Sequence, residues 1–220
     1  MNPYRIYRDE WAKALVTQIT APEYTTFVAM PFEERSSYRS REILERVIRT
    51  AAREANKRKK ARRPFAIPER VDVPAGAVVI TEQIISGILE SLFFLGDLTS
   101  QNAGVILEAG IALGTKPNRQ VILITQGPLS DLHFDLRNNN VVSYNPDDSV
   151  VQIASAFISA AIAFEEQVQH HILSVTRQLS PEAILALNWY GRIQRENKAQ
   201  SLHAQNIGPY FKDPEGLSRF

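Results

Sequence analysis

Residues 92–114, LFFLGDLTSQNAGVILEAGIALG, decide how the rest of the chain is read. An apolar run from Leu92 stops at Asp97, polar residues turn the chain at 99–102, and an apolar helix is predicted over 103–114. A short apolar run without polar alternation, bounded by turn residues, is the pattern of a strand buried on both faces. The helix that follows is built of Val, Ile, Leu, Ala and Gly, yet it carries one acid, Glu108.

The same alternation of short apolar runs and helical stripes extends in both directions. TTFVAM at 25–30 reads as a strand ended by Pro31, and apolar residues at 43, 44, 47, 48, 51 and 52 give a helix from about Tyr38 to Lys60. The segment 62–77 holds three prolines and reads as an irregular loop with a short strand around 65–72. A helix over about 80–91 precedes the strand at 92–97. QVILIT at 120–125 is the clearest buried strand, NNVVSY at 139–144 a weaker one, and a long helix runs from Asp148 to about His171. Strands alternating with helices predict an α/β fold, a flavodoxin/Rossmann-like doubly wound and mostly parallel five-stranded sheet with a helical C-terminal extension. The simplest strand order is 2-1-3-4-5, which puts a ligand crevice at the strand C-termini where the order reverses. The expected division is an N-terminal arm (1–24), the α/β domain (25–172) and the extension (173–220).

This geometry puts Asp97 at the mouth of the crevice. Asn102 or Ser100 is positioned to cap the next helix. Glu108 lies a turn and a half inside, and its side chain tilts back toward the helix N-terminus, past Gly104, which has no side chain to shield it. Asp97 and Glu108 are therefore expected to flank one pocket. The other reading of Asp97 is structural, as an acceptor for the turn at Thr99. The other reading of Gly96, Gly104, Gly110 and Gly114 is close helix–sheet packing.

At 220 residues, 44% apolar and 22% charged, the composition is that of a globular chain with room for a sizeable core. A net charge of +1 gives no global field that would draw nucleic acid or an acidic substrate. With no cysteine, disulfides and thiolate chemistry are excluded. The start MNPYRIYRDEW lacks a signal-peptide core and every long apolar run is interrupted, so no membrane span and a cytoplasmic setting are expected. The histidines His133, His170, His171 and His203 show no ligand spacing, so no metal is expected. Neither a phosphate-binding glycine loop nor a G-x-S-x-G elbow occurs.

Three stretches in order, FVAMPFEE at 27–34, GDLTSQNAGVILEAGIALG at 96–114 with QVILIT, and LHFDLRNNNVVSY at 132–144, resemble the nucleoside 2-deoxyribosyltransferase-like and TIR-like superfamily. The similarity covers about residues 25–165. It implies a nucleotide-binding domain in which Glu108 is the catalytic carboxylate, attacking the anomeric carbon in transferases or stabilising the sugar cation in NAD-cleaving hydrolases. It further implies that Asp97 shapes the sugar or base site, and that Ala29, Met30, Pro31 and Phe32 border it. Asp135 would hold a loop. Thr99, Asn102 and Gly104 belong to the same turn and helix start, and Arg35 and Arg137 are candidate phosphate contacts. Where the family reads Asn-Pro-Asn-Val, this chain has Asn102-Ala103-Gly104-Val105; Leu107 replaces an aromatic and Ala109 a leucine.

The chemistry expected is N-glycosidic cleavage of a nucleoside or nucleotide, by NAD hydrolysis or deoxyribosyl transfer. No cofactor is required, since NAD would be a substrate. The rival expectation is a nucleotide-binding or signalling module without turnover, acting by self-association. Arg53, Lys57, Arg58, Lys59, Lys60, Arg62 and Arg63 form a basic patch at a helix end, read as a solvated helix terminus or as a nucleic-acid contact. Ser180 with Pro181 predicts a capped helix in the extension. Aromatic residues in both arms suit a homo-oligomer.

Overall fold

The computed structural model describes residues 21–32, 34–35, 38–69, 77–139, 141–186 and 189. Two compact units divide the chain, Met1–Gln169 and His170–Phe220. In the first, β1 (Thr26–Ala29) leads through a small hairpin, β2 (Glu34–Arg35) and β3 (Tyr38–Arg39), into helix α1. This helix is α-helical over Ser40–Ile43, winds in wider π-helical turns over Leu44–Arg49, and is α-helical again over Thr50–Arg58. Then come α2 (Ala77–Glu90), β4 (Phe93–Asp97), α3 (Ala103–Thr115), β5 (Val121–Thr125), α4 (Phe134–Arg137), β6 (Val141–Ser143) and α5 (Val150–Thr176).

Strands β1, β4, β5 and β6 pair in parallel in that order. The expected five-stranded sheet is thus four-stranded among the described residues, and the fifth strand shrinks to one parallel bridge between Tyr24 and Phe65. The Tyr24 N–H donates to the Pro64 carbonyl (2.8 Å) and its own carbonyl accepts from the Ala66 N–H (3.0 Å). The Thr25 carbonyl instead accepts from the Phe93 N–H of β4 (2.9 Å). Because successive residues of a strand present their backbone groups to opposite edges, the Phe65 segment lies on the far side of β1 from β4. Spatial order is therefore that of a doubly wound sheet, with the reversal between β1 and β4. Prolines at 64 and 68 remove two ladder donors, which explains the loss of a full strand there. The part of the strand expected at 70–72 lies outside the described residues.

Alternate side chains of the strands enter two separate cores. Val28, Phe93, Leu95, Ile122 and Ile124 pack with α1 and α5; Phe27, Phe94, Val121 and Leu123 pack with α2, α3 and α4. Tyr24 and Phe93 meet edge-on at 5.7 Å, and Phe164 of α5 stands edge-on to both. Arg63 lies over the Tyr24 ring at 4.3 Å. Two glycines are required by this packing: a methyl group would come within 2.8 Å of the Phe27 ring at Gly87 and of the Phe94 ring at Gly96. Gly110 and Gly114 face open space, so close helix–sheet packing does not account for them.

At the opposite edge of the sheet, the buried Lys116 caps the end of α2 by donating to the Ser91 carbonyl (2.5 Å). Burial pulls its ammonium down to about 8. In the second unit, Ser180 caps the short helix after it, its Oγ accepting from the Ala183 N–H (3.3 Å). Residues 1–20 of the N-terminal arm, and 187, 188 and 190–220 of the extension, lie outside the described residues.

Two measurements check this packing. Gly110→Ala should raise stability by up to about 1 kcal/mol through helix propensity, whereas Gly96→Ala should lower the thermal midpoint by forcing the Phe94 ring aside. Between pH of about 8 and 10.5, Lys116 is neutral when folded and protonated when unfolded. The unfolding free energy of wild type relative to Lys116→Met should therefore rise with pH across that window, by at most about 3 kcal/mol; a flat difference would contradict a desolvated Lys116.

Candidate functional site

Four loops converge at the C-terminal edge of the sheet, and one side chain joins them. Asp97, the last residue of β4, has no exposed surface. Its Oδ1 accepts from the Thr99 N–H (3.0 Å) and the Thr99 hydroxyl (2.5 Å). Its Oδ2 accepts from the hydroxyls of Tyr38 (2.8 Å) and Tyr144 (2.6 Å). Tyr38 stands between β1 and α1, Tyr144 directly after β6, and Thr99 in the turn before α3. Thr99 Oγ1 in turn accepts from the Gln126 N–H after β5 (3.0 Å). Burial pushes the Asp97 carboxyl up, and these four donors oppose it. The Tyr144 hydroxyl is pushed well above the usual phenol range by burial, and further by the Asp97 charge.

Asn102 is the cap of α3, its Oδ1 accepting from the N–H groups of Gly104 (3.0 Å) and Val105 (3.3 Å). Ser100 does not cap; it takes a left-handed conformation (φ 64°) inside the preceding turn. Glu108 is half-buried on the flank of α3, between the sheet-facing Val105, Ala109 and Ala112 and the exposed Leu107. No described residue pairs with it, and burial raises its carboxyl above the ordinary 4.5. Gly104, one turn earlier, is exposed.

The two acids do not share a pocket in the expected way. Asp97 alternates with Phe93 and Leu95 and meets Tyr38 and Tyr144, so its carboxylate lies on the α1/α5 face. Helix α3 packs on the other face through Val105, Ala109 and Ala112. The period of two along β4 separates them, and Asp97 is occupied by its own loops. The structural reading of Asp97, an acceptor for Thr99, holds and extends to two tyrosines: Tyr38, which the sequence offered as a contact for a sugar or base, and Tyr144, which it did not flag.

Of the four residues expected to border the site, Ala29 at the end of β1, Met30 and Pro31 are buried and Phe32 is exposed. Arg35 lies in β2; its side chain is outside the described set. Asp135 is exposed in α4 and pairs with His133 (3.3 Å). The carbonyl of Asp131, in the turn before it, accepts from Gln101 Nε2 (2.8 Å), so this loop is tied to the turn that leads into α3. A cleft of about 190 Å³ opens beside Asp97, lined by Tyr38, Arg39, Glu42, Arg46, Gln126 and Asp147 among others.

The basic patch is partly consumed by the fold. Arg58 pairs with Glu54 (3.2 Å), Arg62 with Glu165 (3.6 Å), and Arg63 covers Tyr24. Arg53, Lys57, Lys59 and Lys60 are exposed at the end of α1, remote from the strand C-termini. Among the described residues, no three metal-ligating side chains gather and no helix is long and apolar enough to cross a membrane. No family model, curated protein or solved structure matches the chain. The fold is a parallel α/β sheet with helices on both faces and a polar crevice at the strand C-termini.

The Asp97 knot gives a direct test. Asp97→Asn leaves two phenolic protons without an acceptor and should lower the unfolding free energy by about 3 kcal/mol or more. Tyr144→Phe removes one donor and should cost about 1–3 kcal/mol. Denaturant unfolding measures both, and a neutral Asp97→Asn would contradict the role assigned.

Proposed function

We propose that the domain cleaves the N-glycosidic bond of a nucleotide, with Glu108 as the reacting carboxylate and Asp97 as the scaffold that holds the crevice loops. The observation that carries this reading is Glu108 itself. It is a half-buried acid without a partner among the described residues, set in an apolar helix that starts at the strand edge where such sheets bind ligands. Cleavage builds positive charge on C1′ and the ring oxygen, and an ionised carboxylate in a partly desolvated place stabilises that charge strongly.

The saturation of Asp97 narrows the substrate. A neutral base must be protonated as it leaves, and Asp97, without exposed surface and held by four donors on its two oxygens, is not placed to deliver that proton. Nicotinamide in NAD already carries a positive charge and leaves without an acid. NAD is therefore favoured over a purine deoxynucleoside, and hydrolysis over base transfer. A module that binds nucleotides without turnover is the second reading, favoured by the same lack of a general acid.

Incubation with NAD, followed by chromatography of nicotinamide and ADP-ribose, tests the proposal. Glu108→Gln should lower turnover at least about a hundredfold without unfolding the protein. Since only ionised Glu108 acts, the rate should fall as pH drops through its raised pKa, giving an acid limb above the 4.5 of an ordinary glutamate. Intact NAD at high protein concentration would favour the second reading, and undiminished product from Glu108→Gln would remove Glu108 from the mechanism.

A further inference from the structure

The cleft beside Asp97 lies across the sheet from Glu108, and its lining is unusually mixed in charge. Arg39 and Arg46 face Glu42 and Asp147, with Arg46 Nη1 2.5 Å from Glu42, Arg46 Nη2 3.8 Å from Asp147, and Arg39 3.6 Å from Glu42. Arg39, Arg46 and Asp147 are largely exposed and Glu42 is partly so, and each ion pair is therefore worth little and is readily exchanged for a ligand. The buried wall is Tyr38 and Val47, with Gln126 half-buried between the loops. Helix α1 runs in its π-helical turns where Arg46 and Val47 line the cleft, and such turns recur at functional sites.

Gln126 adds an independent observation. The single Tyr144 hydroxyl proton is spent on Asp97, so Tyr144 can only accept from Gln126, and the atom 2.9 Å away is the amide Nε2. That fixes the amide orientation and leaves Gln126 Oε1 without a donor among the described residues, in a side chain that lines the cleft. The lining therefore offers two guanidinium groups for an anion, and three acceptors, Glu42, Asp147 and Gln126 Oε1, for donor groups. A bare anion would meet two carboxylates and a bare cation two arginines. A ligand that suits all of them carries an anionic group and several hydroxyl or amino donors together.

We propose that this cleft binds the ribose-phosphate of a nucleotide, with Arg39 and Arg46 on the phosphate and Glu42, Asp147 and Gln126 accepting from the sugar hydroxyls or an exocyclic amine. The identity of the ligand rests on the nucleotide reading above. The site deepens that reading by assigning the half of a dinucleotide that does not react. On this proposal a dinucleotide runs over the strand ends from this cleft on the α1 face toward Glu108 on the α3 face, which gives the separation of the two carboxylates a use.

Calorimetric titration with AMP, ribose 5-phosphate, adenosine and inorganic phosphate tests this, using wild type, Glu108→Gln, Arg46→Gln and Glu42→Gln. AMP and ribose 5-phosphate should bind wild type and Glu108→Gln alike, and Arg46→Gln should weaken both by about tenfold or more. Glu42→Gln should weaken the two sugar phosphates while leaving inorganic phosphate equal or tighter, a split that general loosening of the fold would not produce. Failure of every probe to bind wild type, or AMP affinity unchanged in both cleft variants, would overturn the proposal. The two readings fail separately. AMP binding governed by Arg46 without any NAD turnover keeps the cleft and removes the cleavage. NAD turnover with KM unchanged in both cleft variants does the reverse.

Discussion

A carboxylate sealed from water holds this crevice together. Removing an ionised carboxyl from solvent costs several kcal/mol even after relaxation, and Asp97 meets that cost with four short hydrogen bonds. Tyr38, Tyr144 and Thr99 supply these donors from three different loops, Thr99 giving two, and Thr99 passes the link on to Gln126 after β5. Strand C-termini in a parallel sheet end in loops with no ladder to fix them, so a shared charged acceptor is an economical tie. The tyrosines that supply two of the donors are also the wall of the cleft or its immediate support.

Consequences run outward from that knot. Because both hydroxyl protons point at Asp97, Gln126 is left with an acceptor facing the cleft. Because Asp97 is saturated by its own loops, the proposed reacting role is left to Glu108 alone. The two acids also differ in environment. Glu108 is raised by burial with nothing to oppose it, whereas burial of Asp97 is opposed by every neighbour. Pairs of titratable groups with contrasting surroundings commonly divide roles in this way.

Much of the scaffold was legible in the residue pattern. Apolar runs placed β1, β4 and β5 within a residue or two, since fully buried strands leave a plain signal, and Asn102 was readable as the cap of α3. The fifth strand was harder, because prolines at 64 and 68 allow only the Tyr24–Phe65 bridge while their neighbours still look strand-like. At the site, Glu108 stood out as the sole acid of an apolar helix. The face to which Asp97 turns was readable in principle by counting two residues at a time from Phe93, but its partners were not. Tyr38 and Tyr144 lie 59 and 47 residues away along the chain, and no local pattern links them. Lys116 was equally hidden, since a lysine after a helix ordinarily reads as solvated.

We propose separate offices for the two acids, Asp97 structural and Glu108 reactive. NMR titration of their carboxyl carbons, with and without ADP-ribose, tests it most directly. Glu108 should titrate above the ordinary glutamate value and shift when ligand binds, while Asp97, whose carboxyl is raised by burial against its four hydrogen bonds, should keep its resonance when ligand is added. A Glu108 resonance indifferent to ligand, together with an Asp97 resonance that responds to it, would overturn this division of roles.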